Sequence, residues 1–175
     1  MRNIRVITLI VSMIVLAGCV GAAMSASTYA AKAAPREELR PLAEAGDSAA
    51  QFELGKSYCC MGAGFDTQTA TEWLCRAARQ GNADAMYELG RIYDGDISRT
   101  MAPGQKLMQA VKAKDSPAHA YLWLSLAASV DYPAAQDRLA KVKKKIKAND
   151  GVLADRLREA WQNAPCEYNE VFAAE

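Results

Sequence analysis

Cys19, Cys59, Cys60, Cys75 and Cys166 are the side chains of this 175-residue sequence best suited to covalent chemistry. A thiol just behind an apolar leader can take a lipid, and thiols in an oxidising compartment pair into bridges. The rest of the chemical inventory is thin. His119 is the one histidine, so no site can rest on several imidazoles, and no cysteine stands at metal-ligand spacing from it. Asp94-Gly95-Asp96 falls short of the ligand number of a calcium loop. The sequence has no G-x-S-x-G, no H-E-x-x-H and no Walker glycine loop. Its 20 carboxylates include no pair that spacing singles out for acid–base work. The expectation is a protein without catalytic residues, metal or cofactor.

The elements that carry these residues must be helical. Alanine is abundant and aromatics make up only 7% of the chain, which suits closely packed helices better than sheets. The length sets a prior of one modest domain. With 21 bases, 20 acids and a net charge of +1, the chain as a whole makes no electrostatic case for nucleic acid.

The amino terminus reads as an address. Met1 to Arg5 is short and basic, and Val6 to Ala17 is twelve residues without a charge. As a helix that run reaches roughly 18 Å, short of the roughly 30 Å of a bilayer core. A basic start, a short apolar stretch and small residues after it describe a secretory signal peptide. The closing Leu16-Ala17-Gly18-Cys19 resembles the lipobox of bacterial lipoproteins. That resemblance implies cleavage before Cys19, a diacylglyceryl group on its thiol and an acyl chain on the new amine. An uncleaved anchor is the alternative, since apolar and small residues continue to Ala26. Val20 stands where the lipoprotein pattern puts an aspartate for inner-membrane retention, so the expected place is the outer membrane, facing the periplasm. Residues 1–18 are then the leader, and the Ala/Ser-rich residues 19–35 a flexible tether ending at Pro35.

Self-comparison organises the remainder of the chain. The segment from Gly46 to Tyr58 recurs from Gly81 to Tyr93 at an offset of 35 residues. Trp73-Leu74 and Ala77-Ala78 recur as Trp123-Leu124 and Ala127-Ala128 at an offset of 50, with Ala85 and Leu89 returning as Ala135 and Leu139. The two offsets imply about 15 extra residues within the second unit. Ala50, Leu54 and Tyr58 share one helix face, and Gly55 beside them admits a close neighbour. Ala70, Trp73, Leu74, Ala77 and Ala78 form the stripe of a second helix, capped by Asp66 or Thr67 and ended by Gly81.

These positions resemble the Sel-one-like repeat family, relatives of the tetratricopeptide repeats. The pattern falls on Ala50, Leu54, Gly55, Tyr58, Gly62, Gly64, Asp66, Trp73, Ala77, Ala78, Gly81 and Ala85. It covers about residues 37 to 145 and weakens in the third unit, where Ala140 replaces the glycine. The resemblance implies an all-α fold, a short right-handed α/α solenoid of antiparallel helix pairs over residues 36–165, with 166–175 as a tail. It also implies a scaffold that binds another envelope protein or peptide. Cysteine-rich members linked to cell-wall chemistry supply the alternative, a hydrolase acting on peptidoglycan or a β-lactam, or its accessory subunit.

Side chains that differ between the units are the expected contacts for a partner: Gln51, Lys56, Met86 and Arg91, together with the insertion Ile97 to Pro117. Lys141 to Lys147 reads as a solvated face behind a seam of Leu139, Val142 and Ile146, with anionic headgroups as the other reading. Four cysteines beyond Cys19 allow three pairings. Neighbouring Cys59 and Cys60 have Cα atoms only about 3.8 Å apart, below the usual bridge range. The expected pairings therefore join Cys75 and Cys166 to that vicinal pair.

Overall fold

Short polar side chains start most of the helices. Asp47 accepts from the Ala50 amide, Asp66 from those of Gln68 and Thr69, and Asn82 from that of Ala85. Ser116 accepts from the His119 amide behind Pro117, whose ring fixes the first turn. In the computed structural model, which describes residues 35–59, 66–95, 116–163 and 166, these caps open α2 (Ser48–Tyr58), α3 (Thr67–Arg79), α4 (Ala83–Tyr93) and α5 (Pro117–Ala128). Ahead of them α1 covers residues 35–44, and behind them come α6 (Pro133–Lys143) and α7 (Ala148–Ala160). Among the described residues every element is a helix. The leader, the tether, Cys19, Cys60 and most of the insertion lie outside the described residues.

From α2 to α6 consecutive helices pack on one another. α3 lies against α2 and α4, and α5 against α4 and α6. Hydrogen bonds align the first helix of each unit side by side: Asn82 at the start of α4 donates its side-chain amide to Ser48 Oγ at the start of α2, at 3.5 Å. Tyr132 at the start of α6 donates to Asp84 at the start of α4, at 2.8 Å. At the other end Arg138 and Lys145 each reach Asp94 at 3.0 Å. Thus α2, α4 and α6 form one layer of a short helical-repeat solenoid, with α1, α3 and α5 behind them.

The repeat is visible in the packing as well as in the letters. A Cβ on Gly55 would sit 2.8 Å from Leu74 Cγ, and one on Gly90 would sit 2.6 Å from Leu124 Cγ. Gly55 and Gly90 are 35 residues apart, Leu74 and Leu124 are 50 apart, and each glycine receives its own unit's leucine. The turns between units repeat in the same way. Gly46, Gly81 and Asp131 have φ of 98°, 86° and 57°, each one residue ahead of the helix cap. Only glycine adopts that region without a steric penalty. Nothing lies within 4 Å of a Cβ built on Gly81. Gly81→Ala should therefore lower stability by about 1–2 kcal/mol through the backbone alone. Asp131→Gly should raise it by up to about 1 kcal/mol. Urea unfolding of the two variants checks both signs.

The third unit departs from the pattern. α7 packs against α5 instead of pairing with α6 as α3 pairs with α2. Ala140, the counterpart of Gly55 and Gly90, is consequently exposed and needs no glycine. Trp161, just past α7, meets Trp123 edge-on at 5.6 Å, and its carbonyl accepts from Arg79 at 3.2 Å. Burial of Arg79 lowers its pKa. Cys166 then bridges to Cys75 in α3, with Cα atoms 5.6 Å apart. Trp161 and Cys166 are thus drawn back onto α5 and α3.

Candidate functional site

The exposed side of the α2–α4–α6 layer carries a side-chain group that occurs twice. On α2, Lys56 Nζ lies 4.8 Å above the Phe52 ring and 3.4 Å from Glu53 Oε1. On α4, Arg91 lies 6.0 Å from the Tyr87 ring centre and donates to both Glu88 oxygens, at 3.0 and 3.1 Å. The helical register explains the grouping, because the base lies four residues after the ring and three after the acid, which brings all three to one patch. Tyr132 extends the second group, its ring 5.1 Å from that of Tyr87. The Asp84 carboxylate holds the Tyr132 proton, and with partial burial and the nearby Tyr87 and Glu88 it pushes that phenol up to about 12. Rings with basic and acidic edges suit an extended polypeptide, which offers side chains of each kind.

Two of the four residues expected to face a partner do not. Gln51 is buried at 5% exposure, donating to the Ala43 carbonyl at 2.9 Å and accepting from Gln80 at 2.8 Å. It ties α1, α2 and the end of α3 together. Met86 is equally buried and belongs to the main apolar core. Variation at this position reflects different interior neighbours, a carbonyl in one unit and apolar side chains in the next. Lys56 is exposed, and Arg91 is half-buried beside Glu88. Sequence reasoning missed Phe52, Tyr87 and Tyr132, half-buried rings that pack on the core at the edge of this face. An aromatic retained at offset 35 was the available signal.

The cysteines also pair otherwise than expected. Cys75 bonds to Cys166 directly, so neither joins the vicinal pair. The cause is α7, whose packing on α5 brings Cys166 to α3. Cys59 is disulfide-bonded as well, and Cys60 lies outside the described residues. In the lysine-rich stretch Val142 is buried, with Leu139 and Ile146 packed on the core. Helix α6 stops at Lys143, so Ile146 reaches the core from the following turn.

Ser116 and His119 lie close, Oγ 2.7 Å from Nδ1, in the first turn of α5. His119 is buried and stacks on Tyr93 at 4.8 Å, tying the start of α5 to the end of α4. Among the described residues no three His, Cys, Asp or Glu side chains gather as for a metal ion, and no helix is long and apolar enough to cross a membrane.

The fold and this face define a helical-repeat protein with one patterned open layer. No family model, no curated protein and no solved structure matches the chain.

Proposed function

We propose that the protein is a helical-repeat binding module of the Sel-one-like kind, tethered to the outer membrane by lipid on Cys19 and facing the periplasm. Its open layer holds a segment of another envelope protein or peptide. The observation that carries this reading is the repeated group, Phe52–Glu53–Lys56 and Tyr87–Glu88–Arg91, at an offset that matches the buried repeat. α7 and Cys166 attach to α5 and α3, behind that layer. Solenoids offer extended surfaces suited to such contacts.

Photo-cross-linking from position 52 or 87 in intact cells is expected to trap one envelope polypeptide. The double change Lys56→Glu and Arg91→Glu should weaken its capture about thirtyfold, the scale of a hot spot worth about 2 kcal/mol. Folding stability should fall by no more than about 1–2 kcal/mol, because the Lys56 pair is exposed and the Arg91–Glu88 pair only half-buried. A cross-linked species indifferent to both charges would show that the partner is read elsewhere.

A further inference from the structure

The two ends of the solenoid are unlike halves of one unit. Gly46 and Gly81 occupy the same turn position, so α1 stands in the place of α3, a second helix, and among the described residues no first helix precedes it. Counting back 35 residues, Leu39 corresponds to Leu74 and Leu42 to Ala77. Leu74 and Ala77 are fully buried, as are their counterparts Leu124 and Ala127. In α1 the same positions are only partly covered: Leu39 is half-buried against the cluster of Ala43, Ala50, Leu54 and Trp73, and Leu42 is 56% exposed. At the other end α6 is a first helix without its second, because α7 leaves it for α5. Ala140, where Gly55 and Gly90 receive their leucines, faces solvent.

The charges of the two ends are opposite. Residues 35–95 hold ten acids against six bases, and residues 133–163 hold eight bases against four acids. Glu37 and Glu38 are exposed on α1, and Lys141 and Lys144 on α6. Gly55 opposite Leu74 sets the antiparallel register of a hairpin within the chain. The same register places Ala140 opposite Leu39, and then Lys141 and Lys144 run alongside Glu37 and Glu38.

We propose that copies of this chain associate head to tail, α1 of one copy docking on α6 of the next to complete the missing hairpin. A second copy is the occupant that meets both conditions at once, since one chain carries the partly covered leucines and the acids and also the uncovered alanine and lysines. The Cβ of Ala140, which the two glycines lack, holds the docked helices further apart than those inside the chain, and the contact is reversible. The two surfaces differ, so the contact is heterologous and does not close at two copies.

Sedimentation of the full chain in mild detergent at low salt, over a concentration series, tests this. The mass should rise with concentration past that of a dimer. Lys141→Glu with Lys144→Glu should abolish the rise, and so should Glu37→Lys with Glu38→Lys. An equimolar mixture of the two variants should restore it, because each reversed end then meets a reversed partner. A monomer at every concentration overturns the proposal, as does a mass that stops at two copies. So does association retained by either variant. Loss in the lysine variant alone, together with lost binding to anionic phospholipid vesicles, would instead assign the lysines to a membrane.

Discussion

Replacing Cys166 by serine is expected to lower the unfolding free energy of the oxidised protein by about 4–5 kcal/mol. The Cys75–Cys166 bridge spans 91 residues, and closing so long a loop removes entropy from the unfolded chain and raises its free energy by about that much in the chain-entropy account. Domains of this size are stable by about 5–15 kcal/mol, so the loss is a large fraction of the whole. The damage should be uneven. α7 buries only Ala154 fully, and it is held otherwise by Leu157, Trp161 and the Arg79 bond to the Trp161 carbonyl. Without the bridge its amides should exchange with solvent well before those of α4 and α5. Urea unfolding and hydrogen exchange, on wild type and variant under the same oxidising conditions, check both statements. Equal midpoints would mean that the tail adds nothing to the fold.

Leu124→Ala should cost about 2–5 kcal/mol, the usual range for emptying a fully buried leucine site. More informative is the pairing with Gly90. Alone, Gly90→Ala should destabilise by about 1–3 kcal/mol, because its Cβ meets Leu124 Cγ and Cδ2 at 2.6 Å. That loss exceeds the gain of about 1 kcal/mol in helix propensity. In the Leu124→Ala background the obstruction is gone, so the same change should stabilise. A double-mutant cycle in which Gly90→Ala keeps its sign would show that these two residues do not set the α4–α5 approach.

The parts legible in the sequence were those fixed by local geometry. Gly55 and Gly90 mark close helix approaches because only a missing Cβ permits them, and Asp66 marks a helix start because its carboxylate closes the first turn. The all-α repeat follows from such positions. The path of α7 does not, since it depends on Trp161 meeting Trp123 across 38 positions of chain. Cys166 was misplaced for the same reason. Gln51 and Met86 failed on a subtler point: a position can vary between units because its interior surroundings vary. Lys56 is exposed because a long charged side chain beside a ring keeps its ammonium in water wherever the helix packs.

The return of the tail to α3 has an evolutionary consequence. Solenoids commonly change length by duplicating a unit. Here an added unit between α5 and α6 would carry α7 one helix spacing, about 8–10 Å, further from Cys75. Bridged cysteines keep their Cα atoms within about 7 Å. The few residues between Trp161 and Cys166 would have to make up the difference and give up the Trp123 contact. While both cysteines are kept, the bridge acts as a ruler that holds the array at its present number of units.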